Sequence, residues 1–199
     1  SILGQTLDQS GDVVPDVDDP QDLVNLVNAV NALRAKGQIL AYHDRSDGGL
    51  LAAVAEMAFA GHVGVALNVD MLVTEGDGIS DSRMETGDAK NWAQQMSARR
   101  EELTLKALFN EELGVVLQVR TAERNEVMQT LREHGLSKFS HFIGKTRPAS
   151  SSINAGKGEL QVWRDAKAVF SAPLADLHQV WDAVSWKICQ QRDNPANAD

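Results

Sequence analysis

Residues 41–61 read AYHDRSDGGLLAAVAEMAFAG. The run from Ile39 to Tyr42 is short, apolar and of strand type. It leads into His43-Asp44-Arg45-Ser46-Asp47-Gly48-Gly49, a polar turn closed by two glycines. From about Leu50 to Ala60 a helix follows, with Leu51, Val54, Ala55 and Ala58 on one face and Gly61 as its stop. Val63, Val65, Leu67 and Val69 then alternate with His62, Gly64, Ala66 and Asn68, the period of a strand with one buried face. Strand, turn, helix and strand within thirty-odd residues place the chain among proteins that layer helices on a sheet.

Upstream, residues 1–19 carry few periodic apolar residues and end in Asp16, Asp18 and Asp19, which reads as an arm or linker. Asp19 then Pro20 is a helix start, an acceptor at the cap followed by proline at the first helical position. Leu23, Leu26, Val27, Val30 and Leu33 recur at helical spacing, Arg34 and Lys36 suit the C-terminal dipole, and Gly37 closes the helix. Downstream, residues 70–103 contain the polar, aperiodic GDGISDSRMETGD and read as an exposed insertion, with a helix resuming near Asp88 and running to about Leu108. Phe109-Asn110-Glu111-Glu112-Leu113-Gly114 enters a strand over Val115–Val119, and Thr121 caps a helix through His134 that Gly135 ends. Strands are expected at Phe139–Gly144, Glu159–Arg164 and Lys167–Phe170, with a turn at Asn154 and Gly156. A last helix follows Pro173, with Leu174, Leu177, Val180, Val184 and Ile188 inward. The order predicts an α/β (α+β) sandwich, a mixed sheet covered by helices.

The 199 residues are 43% hydrophobic, enough for a true core. A net charge of −9 argues against a nucleic-acid footprint, which needs a basic face, though helix N-termini and metal ions still allow phosphate ligands. Cys189 is the only cysteine, so no intrachain disulfide forms and a reducing, cytoplasmic setting is expected; in a helical pattern it reads as a packed small apolar residue. The start, SILGQTLDQSG, lacks the basic region and apolar stretch of a signal peptide, and no apolar run is long enough to span a membrane.

The strand-to-helix turn carries the chemistry. Such a junction gathers backbone N–H groups at the positive end of a helix, which favours anions. Gly48 and Gly49 permit positive φ or close backbone approach. Asp44 and Asp47 are hard oxygen donors suited to Mg²⁺ shared with phosphate oxygens, and Ser46 can donate to a nucleotide or phosphate. A plainer reading stands beside this one: Asp47 or Ser46 caps the helix, Asp44 pairs with Arg45, and His43 is a hydrogen-bonded structural residue. For Asn110, Glu111 and Glu112 the alternatives are a ligand or domain contact and a solvated turn. For Trp181 and Trp186 they are core packing or an interdomain contact and ligand stacking.

AYHDRSDGGL, AEMAFAGH and LFNEELG, in this order, resemble the synthetase region of the large single-chain phosphoribosylformylglycinamidine synthases. WDAVSWKICQQRDNP is similar to the stretch leading toward that family's glutaminase domain. Phosphoribosylaminoimidazole synthetase, selenophosphate synthetase and thiamine-monophosphate kinase share the fold but match these words less well. The resemblance implies the C-terminal domain of the second synthetase half, the type of AIR synthase-related proteins. It spans residues 20–195, with 1–19 as the arm, 70–103 as an insertion and 196–199 as a tail. It also implies an ATP-dependent amidoligase of purine biosynthesis with glutamine as amido donor, inactive as this fragment alone, in which this domain carries no catalytic residue. Carried over, Asp44 becomes a Mg²⁺ ligand and Ser46 contacts ATP or ADP at an auxiliary site; the junction itself adds Asp47, Gly48 and Gly49 as expected nucleotide contacts. The partners implied are the first synthetase half, the preceding α/β domain and the downstream glutaminase, with no nucleic acid and no membrane. The rival expectations are a free-standing small kinase or synthetase and a pure docking module.

Overall fold

The computed structural model describes residues 1–9, 16–75, 89–147 and 158–193. In chain order the elements are α1 (Ile2–Thr6), α2 (Pro20–Ala35), β1 (Ala41–Asp44), α3 (Gly49–Gly61), β2 (Gly64–Asn68), α4 (Asp70–Glu75) and α5 (Ala89–Phe109). They continue with β3 (Val115–Gln118), α6 (Arg124–Glu133), β4 (Gly144–Arg147), β5 (Glu159–Arg164), β6 (Lys167–Pro173) and α7 (Leu174–Arg192). Two compact units divide them. The first holds Ser1–Met57 and Val69–Ile143; the second holds Ala58–Asn68 and the described residues from Gly144 onward. The polar run 76–88, the turn at Asn154 and Gly156 and the tail 196–199 lie outside the described residues.

In the first unit, Asp19 accepts from the Gln21 N–H at 2.9 Å and Pro20 opens α2, as its sequence dictates. Ala29 and Leu33 of α2 are fully buried. They pack against Val127 and Leu131 of α6 and against Leu136, with Leu26, Ile39, Leu117, Val119 and Met128 partly buried around them. Each such leucine contributes about 1.5–3 kcal/mol by leaving water. The expected arm starts with a helical turn, α1, where the Ser1 hydroxyl accepts from the Gly4 N–H at 3.1 Å. The Thr121 cap is not made. A 3₁₀ turn over Thr121–Glu123 precedes α6, and no side-chain hydrogen bond closes its start.

The α/β class holds, with mixed strand pairing, but the single expected sheet is two. β1 pairs antiparallel with β3 in the first unit. In the second unit the order is β4-β2-β5-β6, with β2 parallel to β5 and the other pairs antiparallel. Leu67, Leu160 and Val162 supply buried side chains of this second sheet. The strand expected at Phe139–Gly144 is not formed; pairing begins at Gly144. Local bonds divert the chain there. Phe139 N–H donates to Leu136 O at 3.1 Å and the Ser140 hydroxyl donates to the same carbonyl at 2.8 Å. The Arg124 guanidinium also lies 4.3 Å from the Phe142 ring centroid, a cation–π contact that occupies the ring.

α7 is correctly placed but not correctly oriented by its pattern. Leu174 is buried, whereas Val180, Val184 and Ile188 are 76%, 68% and 56% exposed. His178 and Trp181 instead approach the Phe59 ring, with centroids 5.0 and 6.0 Å away. Helical period decides which residues share a face; it does not decide which face is covered.

Candidate functional site

β1 delivers Asp44 to the end of the first sheet, opposite Val115. The ladder extends one step further, with Arg45 N–H donating to Gly114 O at 2.8 Å. That pairing brings the turn before α3 beside residues 110–114, so the two motifs singled out separately in the sequence meet in one place. Gly49 N–H closes the turn on Ser46 O at 2.9 Å. Gly48 and Gly49 both have positive φ, +79° and +68°, as the glycine pair predicts. Gly49 is buried with the backbone of Leu108, Phe109 and Asn110 against it; a Cβ there would lie 2.7–2.8 Å from their atoms.

Arg45 does not pair with Asp44. Its Nε donates to Glu112 O at 2.7 Å and its Nη2 to Leu113 O at 3.1 Å, clamping the neighbouring loop. Burial lowers its pKa, and the nearby Glu112 carboxylate partly offsets this. Neither Ser46 nor Asp47 supplies the anion at the helix start. Glu111 does: its Oε1 accepts from Gly48 N–H at 3.1 Å and from Ile2 N–H at 2.8 Å. The Ile2 N–H, and after it the Gly48 N–H, hold the Glu111 carboxyl below its ordinary pKa, against the opposing effect of burial. His43 is braced by Glu56, Nε2 to Oε2 at 2.7 Å, and by Asp44 O at 2.6 Å from Nδ1, which fits its structural reading.

Ser46 and Asp47 are exposed and line a cavity of about 390 Å³ with Asp16, Val17, Arg45, Glu111 and Leu113. Asp44 is also exposed but lies outside that lining, on the strand face it shares with Tyr42. The Tyr42 hydroxyl donates to Asp44 Oδ1. Reasoning from sequence passed over Tyr42, although a spacing of two on a strand puts both side chains on one face. Among the described residues no three His, Cys, Asp or Glu side chains converge as a metal cluster. The donor chemistry still fits Mg²⁺ held chiefly by phosphate, which takes only one or two protein carboxylates; Asp44 would be one. Trp181 and Trp186 are exposed and outside the lining of this cavity, and Cys189 is half-buried on α7.

Burial, the hydrogen bond to Asp44 and its charge push the Tyr42 phenol up from 10.0 to about 12. The neutral phenol's contribution to stability is therefore complete below pH 10 and is lost as pH climbs toward 12. Tyr42 is the chain's one tyrosine, so tyrosinate absorbance reports it alone in this chain. The titration is expected near the raised value in the folded chain, and part of the way back toward the ordinary value in Asp44→Asn. Ionisation at the unperturbed pKa in both proteins would remove the Tyr42–Asp44 bond from this description.

The family model for AIR synthase related protein, C-terminal domain, matches residues 2–153. Among solved structures, T. maritima PurL complexed with FGAR matches with a TM-score of 0.55 at 18% identity, over 81% of this chain and 21% of its own. T. maritima PurL complexed with ATP matches at 0.54 and 17%, over 80% and 22%. The structure of PurLQS from Thermotoga maritima matches at 0.54 and 17%, over 86% and 23%. At these identities the likeness is one of fold. The chain spans about a fifth of the length of these PurL and PurLQS structures.

Proposed function

The chain belongs to the AIR synthase related protein, C-terminal domain family, and from that premise we propose that it is the corresponding domain of the second synthetase half of a large phosphoribosylformylglycinamidine synthase. The full protein makes formylglycinamidine ribonucleotide from formylglycinamide ribonucleotide, ATP and glutamine in the cytoplasm. In this reading residues 1–19 are the arm, 20–195 the domain with 70–103 as its insertion, and 196–199 the tail toward a glutaminase domain. The domain itself holds a nucleotide and packs against the rest of the enzyme.

The observation that carries the reading is the Ser46-Asp47-Gly48-Gly49 turn between β1 and α3, exposed at Ser46 and Asp47, left-handed at both glycines and bordering a cavity. Ser46 donates to a phosphate oxygen, Gly48 and Gly49 hold the turn in the left-handed shape that presents it, and Asp44 offers a carboxylate oxygen to Mg²⁺. When bound, Mg²⁺ neutralises phosphate charge. One carboxylate and one turn do not close a site, so the preceding domain supplies the remaining ligands. The exposed apolar stripe Val180–Val184–Ile188 favours interdomain packing as the domain's second task.

The test is metal removal. Full-length protein treated with EDTA is expected to release ADP and to melt several degrees lower. A ligand held at 100 times its Kd contributes about 2.7 kcal/mol, and that contribution disappears with it. ADP retained in full without metal, or no ADP bound with metal, would overturn the proposal. The same ADP–Mg²⁺ mixture is expected to bind residues 1–199 weakly or not at all.

A further inference from the structure

We propose that Glu111 sets the ligand specificity of this cavity, excluding a bare polyphosphate and admitting one that carries its own divalent cation. The inference rests on the nucleotide–metal reading above and adds a residue to it. The N–H groups before α3 are the natural seat for a phosphate oxygen, but Gly48 N–H already donates to Glu111 Oε1 at 3.1 Å. The same oxygen is held by Ile2 N–H at 2.8 Å, so the carboxylate is tethered from two sides. Its side chain is only 14% exposed, and its depressed pKa keeps it charged at neutral pH.

The Ser1 ammonium lies 3.8 Å from Glu111 Oε2, and the rest of the cavity gives a free anion little compensation. Its described lining holds three carboxylates, Asp16, Asp47 and Glu111, and one cation, Arg45. That guanidinium is directed at Glu112 O and Leu113 O. A phosphate entering alone meets like charge at short range. For a phosphate carrying Mg²⁺ the same carboxylates would accept hydrogen bonds from water held by the ion.

Binding of ADP to the full-length protein, with Mg²⁺ and separately in EDTA, tests this in wild type, Glu111→Gln and Asp44→Asn. Glutamine keeps an oxygen for the Gly48 N–H and removes the charge. Glu111→Gln is expected to strengthen metal-free ADP binding about tenfold, the scale of one like-charge contact removed, while Mg²⁺–ADP binding changes far less. Sites elsewhere in the protein are common to the wild type and every variant and cancel in the comparison. Unchanged metal-free affinity, or an equal gain with and without Mg²⁺, overturns the role of Glu111. Asp47→Asn, which leaves the Gly48 bond alone, is expected to shift metal-free binding in the same direction by less; no shift in either variant overturns the proposal even if Glu111→Gln melts early. Mg²⁺–ADP binding that survives Asp44→Asn marks failure of the underlying site reading, whatever Glu111→Gln does.

Discussion

Gly49→Ala is expected to cost about 2–5 kcal/mol of stability. The estimate sums roughly 1–2 kcal/mol for an L-residue held in left-handed backbone and about 1–3 kcal/mol for forced overpacking. Both contributions have a visible cause. Gly49 has φ +68°, and a Cβ would lie 2.7 Å from Phe109 C and 2.8 Å from Asn110 O and Leu108 O. Those are backbone atoms at the end of α5, which a rotamer change does not move aside. Gly37→Ala is the control, because Gly37 has φ +67° but nothing within 4 Å of the added carbon. It is expected to show only the backbone cost. In a chain of 199 residues each kcal/mol is worth about 2–4 °C in Tm, so the two variants separate in a thermal melt. Equal melting temperatures for the two would mean that α3 and the end of α5 are not packed as described. Since single domains are stable by about 5–15 kcal/mol, the loss at Gly49 reaches a large fraction of the whole.

Asp44→Asn is expected to lower Mg²⁺–ADP retention by the full-length protein by more than about 100-fold, because even outer-shell partners of a metal ligand cost 10–100-fold. Asparagine keeps an oxygen that can accept from Tyr42 but brings no charge to the ion. The ladder that positions residue 44 is made by backbone groups paired with Val115, so the apo fold is expected to be unaffected within about 0.5 kcal/mol, as for other exposed substitutions. Nucleotide released from denatured protein, counted per chain, is the direct readout. Wild-type ADP content in Asp44→Asn would remove Asp44 from the ligand set.

The two variants address different layers of one junction. The residues at Gly48 and Gly49 were legible because positive φ is a local demand that only glycine meets freely. Glu111 was visible as a loop carboxylate but not as the acceptor of the Gly48 N–H, because 63 residues separate the partners. Arg45 next to Asp44 suggested an ion pair. The structure spends its guanidinium on carbonyls of Glu112 and Leu113, an outcome that depends on where β3 sits. The exposed position of Val180, Val184 and Ile188 was equally hidden, since nothing in a helical period states what lies opposite it.

Sequence by itself determined the kinds and order of most elements, the cap and stop of α2, the left-handed glycine pair and the family. Each follows from interactions within a few residues or from motifs read as words. Tertiary structure alone decided that the strands form two sheets rather than one, that residues 110–114 lie against the turn before α3, and that the outer stripe of α7 is left uncovered. Those outcomes are set by contacts distant in sequence, whose free energy depends on which surfaces meet rather than on the pattern of any one segment.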